Sequence, residues 1–230
     1  MARHSVFITG TDTGVGKTMV SAAILEAAKA AGKRTLAMKP IASGCESTAE
    51  GLRNEDALIL QQAATESLPY DQVNPVALEP AIAPHVAAAQ AGRTITASRL
   101  VGFCRGMQIR SADLLLVEGA GGWRVPLNDR ETFSAVPREL GMPVVLVVPL
   151  KLGCINHALL TAEAVRADGL ALAGWVANRP EPETMSCEQE TLDYLLGHMG
   201  APCLGVLPWL QEGGAETLAG HLKIDALFEK

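Results

Sequence analysis

The chain has 230 residues, of which 48% are hydrophobic and only 4% aromatic, and its formal net charge at pH 7 is -6. This composition predicts a globular core of Ala, Val, Leu and Ile, and the acidic balance argues against a general nucleic-acid-binding protein. The longest apolar run, Met142 to Leu150, is far shorter than the roughly 20 residues that span a bilayer. No charged-then-apolar leader precedes the first strand, and the five cysteines form no C-x-x-C pair. We therefore expect reduced thiols, no membrane span and a cytoplasmic location.

The N-terminal segment combines a predicted strand, a glycine-rich loop and a predicted helix. The strand HSVFITG runs into the loop GTDTGVGKT over Gly10 to Thr18, and a helix is expected from Lys17 to Ala31, with Gly32 as its C-terminal cap. The P-loop formula has four residues between its first glycine and Gly-Lys-Thr, whereas this loop has five between Gly10 and Gly16.

The extra residue leaves the phosphate-binding chemistry of the loop intact. Successive N–H groups from about Thr13 to Thr18 can surround phosphate oxygens at the positive end of the following helix. Lys17 would reach the β- and γ-phosphates, and the Thr18 hydroxyl would ligate Mg2+. Strand, glycine loop and helix in this order therefore predict an ATP-binding site.

Strands and helices continue to alternate along the chain. Further strands are predicted in RTLAMKP, ADLLLVEGAGG, MPVVLVVPLKLG, LALAGWVANRP and APCLGVLPW. Helices are expected over 54–64, 83–91 and 96–110, and we expect this insertion to cover the active face. The alternation predicts an α/β fold with a parallel sheet flanked by helices on both faces. Because no repeat or linker is visible, we expect one domain over residues 1–230.

Several polar residues stand at the ends of the predicted strands. In an open parallel sheet, ligands bind beyond the carboxyl ends of the strands. Gly10, Lys39, Glu118, Lys151 and Asn178 lie at or just beyond such ends, so we expect them to converge on one crevice.

Two carboxylates are candidate magnesium ligands, and they differ in how well packing explains them. A magnesium ion that bridges phosphates usually requires one or two carboxylates. Glu118 ends an apolar strand and precedes Gly-Ala-Gly-Gly, which packing alone does not explain. Asp56 is ambiguous, because an acidic residue in the first turn of a helix capped by Asn54 is equally a helix-start pattern.

Other candidates also have structural explanations. Lys39 can be a phosphate ligand or a solvated charge at a strand end. Asn178 can form hydrogen bonds with the edge of a purine base or can form a turn. A helix that begins near Cys154 would expose backbone N–H groups suited to a carboxylate or phosphate. We interpret His85 and His157 as structural residues.

A set of sequence blocks in fixed order resembles ATP-dependent dethiobiotin synthetases. The blocks are GTDTGVGKT, KPIASG, GLRNEDAL, VNPVALEPAIAPHVAA, LLVEGAGGWRVPL, KLGCINHALLTAEAV, LAGWVAN and LGVLPWL. They extend from about Val6 to Leu210, and EGAGGW together with KLGCINH is far more specific than any P-loop. The resemblance weakens from Arg179 to Gly200, and Gly14 stands where some members carry a bulkier acidic residue.

This resemblance implies a P-loop NTPase fold, a homodimer with its active site at the interface, and a ligase of biotin biosynthesis. The reaction would join 7,8-diaminononanoate with CO2 or bicarbonate, using ATP and Mg2+, through a carbamate and a carbamic-phosphoric anhydride. Lys17 and Lys39 would be the catalytic lysines, and Thr18, Asp56 and Glu118 the magnesium ligands. The family's own loop has the same five-residue spacing.

Nucleotide and substrate contacts are also implied by the resemblance. ATP would contact Gly14, Val15, Gly16, Lys17, Thr18, Met19, Asp56, Glu118, Gly119, Ala120, Gly121, Asn178, Arg179, Pro208, Trp209 and Leu210. The diamine would contact Thr13, Ser43, Gly121, Gly153, Cys154, Ile155 and Asn156, of which the last four would come from the other subunit.

Three alternatives keep a P-loop but change the function. An amidotransferase-like cyclo-ligase requires a glutaminase domain, for which 230 residues leave no room. A partitioning ATPase usually has an additional lysine early in the loop, and Thr11 to Gly14 contains none. A nucleotide-dependent binding switch would bind ATP but would not respond to the diamine.

Overall fold

The computed structural model describes residues 1–228; residues 229 and 230, which the predicted domain includes, lie outside the described part. The strands are β1 (His4–Gly10), β2 (Thr35–Met38), β3 (Ile41–Ala42), β4 (Glu46–Thr48), β5 (Gly51–Arg53), β6 (Val76–Ala77), β7 (Leu114–Gly122), β8 (Val144–Pro149), β9 (Leu172–Asn178) and β10 (Cys203–Leu207). The helices are α1 (Lys17–Ala30), α2 (Glu55–Ala63), α3 (Tyr70–Val73), α4 (Pro84–Gln90), α5 (Ala97–Gln108), α6 (Ala135–Leu140), α7 (Cys154–Ala167), α8 (Glu188–His198) and α9 (Ala215–Ala219), with a short 3-10 helix at Asp225–Leu227.

Six strands form one parallel sheet in the order β10-β9-β8-β1-β7-β2. This arrangement confirms the predicted α/β fold. Its register determines which strand ends meet, because Met38 of β2 pairs with Val117 of β7. The next residues along the chain, Lys39 and Glu118, are therefore neighbours near the carboxyl edge of the sheet. Glu118 does not end its strand as predicted, because β7 continues through Gly-Ala-Gly-Gly to Gly122.

The core lies on both faces of the sheet because successive strand residues point to opposite sides. Val6 and Ile8 of β1 pack in the cluster that includes helix α1, whereas Phe7 packs in the cluster that includes helix α5. Helices α7 and α8 cover the β8–β9–β10 part of the sheet. The central residues of the six sheet strands are mostly apolar because both faces of the sheet are covered.

The segment between β2 and β7 differs in part from its expected arrangement. The predicted helices are present, and two short strand pairs, β3 with β6 and β4 with β5, accompany them. Helix α5 does not cover the active face, because Leu100, Cys104 and Met107 pack with the sheet residues Leu115 and Val117. The segment's contribution to the cavity comes instead from α2 and the start of α4, whose residues line it.

The C-terminal residues, for which the sequence patterns predict no structure, pack against the P-loop helix. Leu218 of α9, Ile224 and Leu227 join the cluster that contains Ile24 and Leu25 of α1. The Lys223 N–H also donates to the Leu204 carbonyl of β10, so the C-terminal segment packs against both α1 and the sheet. Among residues 1–228, no helix combines the length and the apolar character that a membrane crossing requires.

Candidate active site

The glycine-rich loop forms a tight turn between β1 and α1. Gly14 and Gly16 have φ angles of 73° and 87°, a region that favours glycine. A side chain at Gly16 would collide with the Asn178 amide, whose Nδ2 donates to the Val15 carbonyl at 2.9 Å. No side chain among residues 1–228 caps α1, so its first-turn N–H groups remain available to an anion.

Two buried lysines stand beside this loop in different electrostatic environments. Lys17 Nζ donates to the Asp12 carbonyl at 3.0 Å, and burial lowers the pKa of Lys17 to about 8. Lys39 Nζ contacts Glu118 Oε1 at 2.6 Å and Asp56 Oδ2 at 2.9 Å. Burial alone would lower the pKa of Lys39, but these two carboxylates outweigh it and raise that pKa. Lys39 is therefore a charged ammonium at neutral pH.

The two candidate metal carboxylates meet around Lys39. Glu118 is fully buried, and its Oε1 also accepts from the Thr18 hydroxyl at 3.0 Å. Glu118 Oε2 has no hydrogen-bond partner in the part of the chain that the structure describes. For Asp56, burial works to raise the pKa, but the Lys39 charge and hydrogen bond outweigh it and lower that pKa. Both carboxylates thus accept from the same ammonium.

Helix α2 shows that the two explanations of Asp56 are compatible. Asn54 caps the helix, with its Oδ1 accepting from the Ala57 N–H at 3.2 Å. Asp56 lies in the first turn, as the helix-start pattern predicts, and its carboxylate also points to Lys39. The cap therefore orients the turn that carries the carboxylate.

A cavity of about 830 Å³ lies between the P-loop and the segment that follows β2. Eleven residues from the predicted site line it: Thr13, Gly14, Gly16, Lys17, Thr18, Met19, Lys39, Ser43, Asp56, Ala120 and Gly121. Ile59, Ile82, Pro84 and Val125 add an apolar wall to which the sequence analysis assigned no role. The cavity thus combines a cationic end with an apolar side, which suits a phosphorylated or carboxylated amine with an alkyl chain.

Other predicted site residues lie outside this lining. Val15 is a buried residue of the P-loop, Glu118 and Gly119 lie within β7, and Asn178 ends β9. Arg179 forms two hydrogen bonds with Glu188 Oε1, at 2.9 and 2.6 Å. The segments at 153–156 and 208–210 are also not part of the lining. Lys151 departs from the expected convergence, because it lines a second cavity of about 420 Å³ beside residues 180–186.

The start of helix α7 has fewer free N–H donors than its sequence pattern predicts. The Cys154 N–H donates to the Lys151 carbonyl at 3.0 Å, so it is not an unpaired donor. The reason is the turn at Gly153, whose φ of 93° brings Cys154 back onto residue 151. Gly153, Ile155 and Asn156 remain as the candidate donors of this segment.

The segment that follows β7, beginning at Trp123, is anchored by contacts with Asp168. Trp123 Nε1 donates to Asp168 Oδ2 at 2.8 Å, and the Arg124 guanidinium forms a bidentate salt bridge with the same carboxylate, at 2.6 and 3.1 Å. Trp123 is therefore a loop anchor, the commoner use of tryptophan.

Three polar residues of the insertion lie directly behind the site and were not predicted as functional. Asn54, Tyr70 and Asn74 form a buried hydrogen-bonded chain that reaches the Lys39 backbone. The only sequence signal for Asn74 is its place before proline within the apolar segment QVNPVAL. This signal does not identify its hydrogen-bond partners, because they are distant in sequence.

Comparison with known proteins decides the family. A family model described as an AAA domain matches residues 4–217. The chain is 78% identical over 233 residues to the ATP-dependent dethiobiotin synthetase BioD of Marinobacter nauticus, with 100% of both chains covered. This chain belongs to the ATP-dependent dethiobiotin synthetase family. The BioD proteins of Cellvibrio japonicus and Pseudomonas paraeruginosa are 53% and 56% identical, covering 100% and 96% of this chain and the same shares of their own lengths.

Solved structures with low sequence identity share the fold of this dethiobiotin synthetase family member. The MinD cell division protein of Aquifex aeolicus has a TM-score of 0.58 at 16% identity, covering 97% of this chain and 94% of its own. A ParA family ATPase from Chlorobium tepidum has a TM-score of 0.57 at 13% identity, covering 96% and 91%. At such identities the likeness concerns the fold alone, and the partitioning-ATPase alternative is not favoured.

Proposed function

We propose that this chain catalyses the dethiobiotin synthetase reaction, in which 7,8-diaminononanoate, CO2 and ATP yield dethiobiotin, ADP and phosphate. The observation that carries the proposal is the buried ammonium of Lys39, which lines the same cavity as the P-loop. A carbamate must meet the γ-phosphate of ATP, and both are anions. Lys17 and Lys39 provide cations at the place where the two anions would approach each other.

The reaction proceeds in three steps. One amine of the substrate adds to CO2 and loses a proton to form a carbamate. A carbamate oxygen then attacks the γ-phosphorus of ATP, the bond from that phosphorus to ADP breaks, and a carbamic-phosphoric anhydride forms. The second amine attacks the carbamoyl carbon, its proton is lost, and the C–O bond breaks with release of phosphate. Lys17 and Lys39 stabilise the negative oxygens in the last two steps, because phosphoryl transfer depends chiefly on positioning and charge neutralisation.

The nucleotide would occupy the P-loop and the ends of β9 and β10. Backbone N–H groups over 14–19 and 119–121 would bind the phosphates, with Val15 contributing only its backbone because its side chain is buried. Asn178 Oδ1 is available to accept from an adenine amino group, since Asn178 Nδ2 already donates to the Val15 carbonyl. Arg179 and residues 208–210 would complete the base site from the same edge of the sheet.

The chain's oxygen donors suit Mg2+. Thr18, Asp56 and Glu118 offer one hydroxyl and two carboxylates, and the unpartnered Glu118 Oε2 is a free acceptor in a buried place. Within residues 1–228 no three His, Cys, Asp or Glu side chains cluster as a metal site, so phosphate oxygens and water must supply the remaining ligands. When bound, Mg2+ would neutralise charge on the β- and γ-phosphates. The chain's own part is to hold these three groups at one side of the transferred phosphoryl group.

The diamine would lie along the cavity, with its amines toward Lys39. Thr13, Ser43 and Gly121 line the polar end, and Ser43 Oγ is buried without a hydrogen-bond partner among the described residues. The apolar wall formed by Ile59, Ile82, Pro84 and Val125 would pack against the alkyl chain. A hydroxyl without a partner at this place is a suitable donor or acceptor for an amine or carbamate.

We further propose that the active site is completed in a homodimer. The donors at Gly153, Ile155 and Asn156 would then hold the distal carboxylate of a diamine bound to the other subunit, with Cys154 contributing packing. Leu152 precedes this helix and Leu160 lies about two turns into it; they are 93% and 56% exposed, which supports burial against a second copy. A Leu160→Glu variant that becomes monomeric should show a raised KM for the diamine and unchanged ATP affinity. A monomeric variant with an unchanged diamine KM would contradict this part of the proposal.

The test of the reaction is phosphate release from ATP and Mg2+ with bicarbonate, with and without 7,8-diaminononanoate, while mass spectrometry monitors the cyclic urea. We expect diamine-dependent release with one urea formed per ATP. ATP binding without any response to the diamine would refute the synthetase proposal and favour a nucleotide-dependent switch.

A further inference from the structure

A buried chain of hydrogen bonds connects helix α2 to the end of β2. The Asn54 backbone N–H donates to the Tyr70 hydroxyl at 2.7 Å, and that hydroxyl donates to Asn74 Oδ1 at 3.0 Å. Asn74 Nδ2 then donates to the Lys39 carbonyl at 2.7 Å. Tyr70 and Asn74 are only 8% and 2% exposed, so water does not compete for these bonds.

The two ends of this chain are the two segments that carry the site's charges. One end is the backbone of Lys39, and the other is the N-cap of α2, two residues before Asp56. The same Asn54 side chain donates from Nδ2 to the Ser43 carbonyl at 3.4 Å. Three cavity-lining segments are thus linked from behind by residues that do not line the cavity themselves.

Packing alone does not explain why polar residues occupy these buried positions. A buried hydroxyl or amide destabilises a fold unless its hydrogen bonds are satisfied, so phenylalanine and an aliphatic residue would fill the same volume without that requirement. The polar chain instead fixes direction and distance, because each of its bonds tolerates little change in length or angle. The Lys39–Asp56 ion pair spans the same two segments on the cavity side.

We propose that Tyr70 and Asn74 are positioning residues, which hold Asp56 and Lys39 at the separation that Mg2+ binding and phosphoryl transfer require. The inference rests on the proposed function for the roles of Asp56 and Lys39. Tyr70 and Asn74 act only through the backbones of Lys39 and Asn54. A misplacement of about 1 Å in such a site reduces catalysis substantially, by up to about 100-fold.

The first experiment uses the two tyrosines of the chain as a matched pair. Tyr70→Phe removes the bridging hydroxyl but keeps the ring that packs over Arg53, and Tyr194→Phe removes an exposed hydroxyl on α8. The affinity for a non-hydrolysable ATP analogue is measured with Mg2+ and with EDTA. We expect the ratio of these affinities to fall about tenfold in Tyr70→Phe and to stay within about twofold in Tyr194→Phe.

Turnover provides a second readout on the same two proteins. The free Mg2+ concentration that gives half the maximal rate should rise about tenfold in Tyr70→Phe only. A smaller folded fraction lowers kcat but does not move this concentration, so the readout separates positioning from a merely structural role. A lower melting temperature with an unchanged affinity ratio and Mg2+ requirement would overturn the proposal.

A second pair of variants keeps the test decisive if Tyr70→Phe does not fold. Asn74→Asp keeps the acceptor for Tyr70 but removes the donor to the Lys39 carbonyl. Its control is Asn128→Asp, because Asn128 Nδ2 donates to the Ile95 carbonyl at 2.7 Å and neither residue lines the cavity. We expect the affinity ratio to fall in Asn74→Asp and not in Asn128→Asp. Equal ratios in these two variants would contradict the inference.

The failure of the inference is distinguishable from the failure of the proposed function. The proposed function fails if the wild-type chain shows no diamine-dependent phosphate release. The affinity ratio needs no diamine and no turnover, so it continues to test whether Tyr70 and Asn74 align the carboxylate and the lysine.

Discussion

The P-loop over residues 10–18 and the insertion over residues 41–110 form opposing walls of one cavity, but their geometry depends on different kinds of contact. The loop's geometry is mostly local: Lys17 bonds to Asp12, five positions away, and glycines adopt the two left-handed conformations. The insertion depends on distant partners, such as the bond from Asn74 to Lys39, 35 positions away. Where contacts are local in sequence, function depends on single residues. Where contacts join distant segments, function also depends on residues that do not touch a ligand.

Removal of Lys17 should have the largest effect, because its function rests on one ammonium. Lys17→Met should reduce kcat/KM about 100- to 1000-fold, the usual effect of losing one group that stabilises a developing charge. Thermal stability should change little, because a buried charge with a lowered pKa contributes little to folding. Lys29→Met on the exposed end of α1 is the control and should retain full activity. A Lys17→Met variant with more than about a tenth of the wild-type activity would contradict this role.

Two glycines test how local the loop's geometry is. Gly14→Ala and Gly16→Ala both place a side chain at positive φ, which destabilises the fold by about 1 kcal/mol. Only Gly16→Ala also collides with the Asn178 amide, whereas a Cβ at Gly14 meets no atom of the described residues within 4 Å. We expect ATP affinity to fall about 30-fold or more in Gly16→Ala and less than about threefold in Gly14→Ala. Fluorescence titration with a labelled nucleotide measures both, and equal losses would refute the distinction.

Two helix caps test the insertion. Asn54 caps α2 and Thr96 caps α5, with side-chain to N–H distances of 3.2 and 3.3 Å, so each change to alanine should destabilise the chain by about 1 kcal/mol. Asn54→Ala should in addition reduce kcat about tenfold, because it loosens the turn that carries Asp56. Thr96→Ala should leave kcat unchanged at temperatures where the protein is folded. Denaturant unfolding measures the stability of both variants, and steady-state kinetics measures their kcat. Equal kcat values in the two variants would contradict the special role of the Asn54 cap.

The residues of the Asp168 anchor do not themselves line the cavity, so this contact should have the smallest effect on activity. Burial tends to raise the pKa of Asp168, but hydrogen bonds from Arg124 and Trp123 outweigh it and lower that pKa. The carboxylate therefore stabilises the fold above its unfolded pKa of about 3.8, and this contribution is lost as the pH falls through the lower folded value.

Asp168→Asn should accordingly destabilise the chain by about 1.5 kcal/mol at pH 7, while kcat changes less than about threefold. The stability difference between the variant and the wild type should shrink as the pH is lowered from 5 to about 3. Melting temperatures across this range measure the effect. A difference that is constant with pH would show that the carboxylate charge does not contribute.

Sequence patterns predict well the features that depend on neighbouring residues, and predict poorly the features that depend on contacts between distant segments. The strand, loop and helix of the P-loop and the six-stranded α/β fold follow from short-range patterns and are present. Glu118 was expected to end its strand, but β7 continues for four more residues to Gly122. The register that places Lys39 beside Glu118 depends on strand pairing, which no single segment encodes. The same is true of the hydrogen bonds through Tyr70 and Asn74, because no local sequence pattern identifies the partners of these two residues.

Two departures have physical reasons of the same kind. Helix α5 was expected over the active face, but its apolar side is long enough to cover the sheet, and burial there is the stronger driving force. The Cys154 N–H was expected to be free, but the left-handed turn at Gly153 pairs it with Lys151. Tertiary packing and turn geometry decided both outcomes.

The central claim is that the cavity transfers the γ-phosphate of ATP to a carbamate, and an isotope experiment tests it most directly. Single turnover is run with 18O-labelled CO2, and the phosphate released with the cyclic urea is analysed by mass spectrometry. The mechanism predicts that each phosphate contains one 18O, because ring closure breaks the carbon–oxygen bond of the anhydride. Phosphate without 18O, formed at the same rate as the urea, would contradict a carbamic-phosphoric anhydride and with it the roles assigned to Lys17 and Lys39.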